Sequence, residues 1–173
     1  MIQRLDQKQL ELVAATAIGQ CPMEMHRLML RAIAEIFIEF KLLNMSIEEA
    51  VVSELINTFC PHSLGHHLGV NVHDRGAQFS NPEGDLFELS KAYPKRRLSA
   101  PMVANQVFTV EPGIYFIPSL LDKLRHGNEA AKINWPQIEA FLPYGGIRIE
   151  DNIVLHADGG IENLTRDAFN QLL

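Results

Sequence analysis

The chain has 173 residues, 47% hydrophobic and 21% charged, with a net charge of −6. That is enough for one ordinary domain with a real core. It excludes a disordered chain and gives no reason to expect nucleic acid or an anionic membrane as partner. No apolar run is long enough to span a bilayer, the N-terminus lacks a secretory core, and Cys21 and Cys60 are too few for a disulfide framework. A cytoplasmic location with free thiols is expected.

The first third reads as helical. Leu5, Leu10, Leu12, Val13 and Ile18 recur at roughly helical spacing until Gly19 to Pro22 interrupt them. Pro22 can open a second, long helix whose apolar face runs from Met25 through Met29, Ile33 and Phe37 to Leu43. His26 falls on its surface side, and Met23, Met25 and Met29 are core rather than a soft-metal site. Ser46 followed by Glu49 matches a capping box, predicting a third helix over 47–58.

The character changes after residue 60. Four histidines, His62, His66, His67 and His73, fall within twelve positions among glycines and apolar residues. Imidazole is the commonest protein metal ligand, but a catalytic metal also needs carboxylates or further nitrogens. Residues 75–104 read as a long irregular loop. Residues 107–111 form a strand stopped by Pro112-Gly113, a short helix lies near 136–142, and 147–155 form a second strand. Helices first and strands later make the fold class α+β.

Glu111 ends the first of these strands and Glu150 lies inside the second. Alternation puts Arg148 and Glu150 on one face, and Ile147, Ile149 and Asp151 on the other. A carboxylate on a buried strand is costly unless it is paired or metal-bound, so Glu150 either pairs with a nearby arginine or holds a cation. Cys60 adjoins the cluster, but one thiol without a partner is no sign of a nucleophile.

Three segments occur in order: residues 62–74 (His-Ser-Leu-Gly-His-His-Leu-Gly, ending Val-His-Asp), 109–115 (Thr-Val-Glu-Pro-Gly-Ile-Tyr) and 145–151 (Gly-Gly-Ile-Arg-Ile-Glu-Asp). Together they resemble the M24 metallopeptidases of the pita-bread fold. Ala92-Tyr93-Pro94 with Arg97, residues 115–121 and residues 134–139 add a likeness to the bacterial prolidases, which are Xaa-Pro dipeptidases. The resemblance implies helices packed on a curved antiparallel sheet and a site for two divalent metal ions. Mn²⁺ is the favoured ion, and Zn²⁺ or Co²⁺ would also suit the ligands. By matching motif, His66, Glu111 and Glu150 are metal ligands, with Glu150 bridging both ions, and Glu111 also serves as proton shuttle. His62 and His73 match histidines that contact substrate and the tetrahedral intermediate, and Arg148 matches an arginine beside the bridging glutamate. Arg97 matches an arginine that grips the substrate's terminal carboxylate, with Arg96 adjacent and Ala100 where prolidases carry a further arginine. His67 has no role in the pattern. The implied partner is an Xaa-Pro dipeptide; Xaa-Pro aminopeptidases, which act on longer peptides, and non-catalytic peptidase-like binding modules are the alternatives.

The family's five-ligand site also has two aspartates, eleven residues apart and before the histidine. Upstream of His62 the sole aspartate is Asp6, and Asp74 and Asp85, though eleven apart, follow the histidine. Residues 1–173 therefore read as the C-terminal portion of an M24 catalytic domain, without the N-terminal domain and the aspartate-bearing strands. Such a portion is expected to be inactive by itself and to expose an apolar surface that favours a homodimer.

Overall fold

A computed structural model of the chain describes residues 1–75, 78, 79, 81, 83–85 and 98–172. The chain divides into two compact units. One is formed by Met1–Lys8, Arg27–Pro61 and Pro112–Ile149, the other by Gln9–His26, His62–Glu111 and Glu150–Leu173. Helix α1, Ile2–Ala14, and helix α2, Pro22–Glu39, each contribute to both. No helix among the described residues is long and apolar enough to cross a membrane.

The first unit is built on α2. Met29, Ile33, Ile36 and Phe37 are fully buried along its stripe, and the Phe37 ring meets Phe59 at 4.6 Å. Phe116 stacks on Phe141 at 5.2 Å, extending the aromatic core. Strands β2 (Gly113–Tyr115) and β3 (Gly146–Arg148) pair antiparallel, Ile114 opposite Ile147. Helix α3 covers Ile47–Val52, with the Ser46–Glu49 capping box formed in both directions. It is shorter than predicted, because the Ser53 hydroxyl bonds back to the Glu49 carbonyl and Glu54 turns left-handed at φ 59°. A 3₁₀ turn, Leu55–Thr58, carries on from there. Helix α4, Pro118–Arg125, was not predicted, whereas α5, Trp135–Phe141, lies within a residue of its expected place.

The second unit holds an antiparallel sheet in the order β1–β4–β5, with β1 Gln106–Val110, β4 Asp151–Leu155 and β5 Ile161–Asn163, followed by helix α6, Leu164–Asn170. Phe108, Val110, Ile153 and Leu155 bury its apolar face completely. His26 is a correction: only 3% exposed, it lies one α-helical stripe with Leu30, Ile33 and Phe37, so the buried face is wider than the methionine pattern suggested. The predicted strand 147–155 is another correction. It breaks at Ile149–Glu150, with β3 pairing β2 and β4 pairing β1. The predicted strand 107–111 likewise ends at Val110, leaving Glu111 just beyond it.

Candidate metal centre

The histidine-rich segment runs along β1 on the side away from β4. Leu68 N–H donates to the Val107 carbonyl at 3.0 Å, Thr109 N–H to the His66 carbonyl at 2.9 Å and Glu111 N–H to the Leu64 carbonyl at 2.8 Å. The His67–Phe108 bridge is antiparallel, so His66 lies opposite Thr109. The approach is so close that a Cβ on Gly65 would fall 1.8 Å from the Thr109 carbonyl oxygen; only glycine fits there. Beside this approach, His66 N–H donates to the Thr109 side chain, Oγ1, at 3.0 Å.

On the other side of β1, Val110 pairs with Asp151. One more step of that register sets Glu111 opposite Glu150. Side chains alternate along a strand, so Thr109 and Glu111 share a face, and their cross-strand neighbours His66 and Glu150 share it too. A histidine nitrogen and one oxygen from each glutamate thus come within 4.8 Å of one another.

His66 and Glu111 are 3% and 5% exposed, while Glu150 opens to solvent. His66 Nδ1 lies 3.1 Å from the His67 carbonyl, which can only accept, so Nδ1 carries the hydrogen and, in the neutral ring, Nε2 keeps its lone pair. That lone pair faces Glu111 Oε1 at 3.5 Å. Thr109 Oγ1, fully buried, donates to the same Oε1 at 3.1 Å. Two carboxylates set opposite one another repel, and among the described residues Glu150 has no arginine or lysine partner. One imidazole with two carboxylates is a donor set that suits Mn²⁺, Zn²⁺ or Co²⁺, and the orienting bond on the far ring nitrogen is what metal-binding histidines carry. These residues fit a divalent cation.

His73 joins the cluster edge-on, its ring 4.3 Å from that of His66. His62 is half-buried, with Nδ1 2.7 Å from the Ser63 carbonyl. His67 points elsewhere, toward Phe108, and burial pushes its pKa below the ordinary value while Asp74 opposes the shift. Arg148 belongs to the first unit; its Nε–H donates to the Tyr115 hydroxyl at 2.6 Å, and its guanidinium lies 5.8 Å from that ring. Arg97, and Arg96 with it, lies outside the described residues.

Two features escaped the sequence reading. Thr109 is one; its signal was the i, i+2 spacing to Glu111. The other is a buried polar knot on the opposite face of the sheet. Asp151, 2% exposed, accepts from Arg166 Nε and Asn163 Nδ2, both at 2.8 Å on Oδ2. Arg166 reaches Gln9 Oε1 at 3.4 Å, and Gln9 Nε2 donates to the Val110 carbonyl at 3.3 Å.

The helices on an antiparallel sheet, the histidine-rich edge and the opposed glutamates agree with a match to metallopeptidase family M24 over residues 1–157, and the chain belongs to that family. It is 43% identical over 168 residues to an Xaa-Pro dipeptidase of Aeromonas hydrophila, covering 97% of this chain. An Xaa-Pro dipeptidase of Colwellia psychrerythraea is 41% identical over 96% of the chain. In both cases the chain spans 38% of the relative's length. Among solved structures, aminopeptidase P from Escherichia coli superposes with a TM-score of 0.65 at 23% identity, and aminopeptidase PepP of Pseudomonas aeruginosa with 0.61 at 24%. Each covers 95% of this chain and 30% of the other, and the likeness places the chain in the pita-bread fold.

Proposed function

We propose that the whole protein is a metal-dependent Xaa-Pro dipeptidase and that His66, Glu111 and Glu150 are three of its metal ligands. The convergence of their ligand atoms within 4.8 Å carries the reading, and similarity to Xaa-Pro dipeptidases supplies the substrate class. Two divalent ions, Mn²⁺ by preference, would supply Lewis acidity and a water acidified toward neutral pH. Glu111 moves a proton at Oε2, its Oε1 being held by Thr109. His62 and His73 donate to the oxygen that gains charge as the peptide carbonyl is attacked, and Arg148 keeps the substrate-binding role that its motif implies. Arg97 pairs with the substrate's terminal carboxylate, a clamp useful only when the peptide ends at proline. A cytoplasmic homodimer is the expected setting.

Two divalent ions carry four positive charges. His66, Glu111 and Glu150 offset two of them, so the 173-residue polypeptide by itself binds metal weakly and hydrolyses nothing. Calorimetric titration of this polypeptide with Mn²⁺, beside an Ala-Pro hydrolysis assay, tests this. One weak site that disappears in His66→Ala is expected, with no hydrolysis. Two tight sites would overturn the half-site reading, and binding unaffected by His66→Ala would overturn the ligand assignment.

A further inference from the structure

We infer that Thr109 is a positioning residue of the metal centre, acting through its hydroxyl on His66 and Glu111 together; the inference rests on the metal-ligand reading above. A threonine in a strand is ordinarily explained by β-propensity and packing, and a valine would serve both as well. Thr109 differs in what its hydroxyl does. It is fully buried, where a hydroxyl must be bonded, and both of its bonds go to ligand-bearing residues. Oγ1 accepts the His66 N–H at 3.0 Å and donates to Glu111 Oε1 at 3.1 Å. The first bond ties down the backbone from which the His66 ring hangs, next to the close Gly65–Thr109 approach. The second fixes which carboxylate oxygen of Glu111 turns toward His66 Nε2, 3.5 Å away. One hydroxyl thus couples the placing of two ligands, one on the edge segment beside β1 and one just past the end of β1. A hydrophobic residue here would take the acceptor from the His66 N–H and one donor from the Glu111 carboxylate, in a place where a small displacement is felt by both.

The test compares Thr109→Val, matched in volume but without the hydroxyl, with Thr109→Ser, which keeps it. Co²⁺ is titrated into the 173-residue chain and followed by its visible absorption bands. Loss of an orienting partner weakens metal binding by about 10- to 100-fold. Thr109→Val should show that loss with altered bands, and Thr109→Ser should bind within a few-fold of the unmodified chain with its spectrum intact. Equal affinity and spectrum in Thr109→Val would overturn the inference, as would a Thr109→Ser weakened as much as Thr109→Val, which would mean packing alone. Nuclear magnetic resonance gives the readout that needs no metal. In the unmodified chain the His66 amide should exchange slowly and Glu111 should hold one χ1 rotamer. Both should persist in Thr109→Ser and be lost in Thr109→Val; a fast-exchanging His66 amide in the unmodified chain refutes the inference even if Thr109→Val fails to fold. If the unmodified chain binds no Co²⁺, the metal reading fails, and positioning is then judged on these two signals.

Discussion

Removing Arg166 should destabilise the second unit more than any surface ion-pair deletion in the chain. Asp151 is 2% exposed and its partner's side chain 29% exposed, with Arg166 Nε and Asn163 Nδ2 converging on one carboxylate oxygen. Breaking a buried pair by deleting one member costs about 3–5 kcal/mol, because the survivor is left as an uncompensated charge. Water reaches the guanidinium, and Asn163 still donates to the carboxylate, so the expected loss in Arg166→Ala is about 2–3 kcal/mol. In urea, with a slope of about 1–3 kcal/mol per molar, the midpoint should fall by roughly 1–2 M, read by far-ultraviolet circular dichroism. Asp151→Asn should cost a similar amount, and the double variant should fall short of the sum by about 1–2 kcal/mol, since the two share one interaction. If either single variant stays within about 0.5 kcal/mol of the unmodified chain, the knot behind the strands is not what holds them.

Gly65→Ala puts a methyl against the backbone of Thr109, so the edge segment must move; a loss of about 3 kcal/mol in urea is expected, together with loss of Co²⁺ binding, and an unchanged midpoint would contradict the close approach. Glu150→Gln removes one of two opposed carboxylates: the metal-free chain should gain a few tenths of a kcal/mol while Mn²⁺ affinity drops, and stability that fell without metal would argue against repulsion. Ser46→Ala should cost about 1 kcal/mol by unmaking the cap of α3. Bonds from the Ser46 backbone and then its hydroxyl, with Lys132 nearby, hold the Glu49 carboxyl below its ordinary value. A depressed carboxylate stabilises the fold above its unfolded pKa and stops doing so as pH falls through its folded value, so the gap between Ser46→Ala and the unmodified chain should narrow on acidification below the ordinary glutamate range. A gap constant from neutral to acidic pH would show that the Ser46 hydroxyl's bond to the Glu49 carboxylate adds nothing, leaving the bond from the Glu49 N–H as the whole of the cap.

The long helix, the capping box and both central strands were legible because each rests on local periodicity or a local motif. His66, Glu111 and Glu150 were legible as candidates for the same reason. Their juxtaposition was not, since it depends on which strand edges meet: Gly65 admits the histidine segment to one edge of β1, and the Val110–Asp151 register brings Glu150 to the other. The break at Ile149–Glu150 was invisible because an apolar alternation reads through it unchanged. His26 was misplaced because a helical stripe that includes one imidazole looks, in sequence, like a stripe that stops short of it. The Asp151–Arg166 pair joins residues fifteen apart through a helix too short to announce itself.

His66, Glu111 and Glu150 sit beside or just beyond paired strand segments whose positions in the chain are tens of residues apart. No short stretch of this polypeptide can assemble the trio, so under the proposed ligand assignment the site forms only with the long-range pairing. A cation that prefers the paired form stabilises it by mass action, about 2.7 kcal/mol when supplied at a hundred times its dissociation constant. The free ion concentration during refolding thereby becomes a lever on how firmly the edge segment closes onto β1. Chelated and metal-supplemented preparations of the same chain should differ first in amide exchange along residues 64–68, before any difference in helix content is seen.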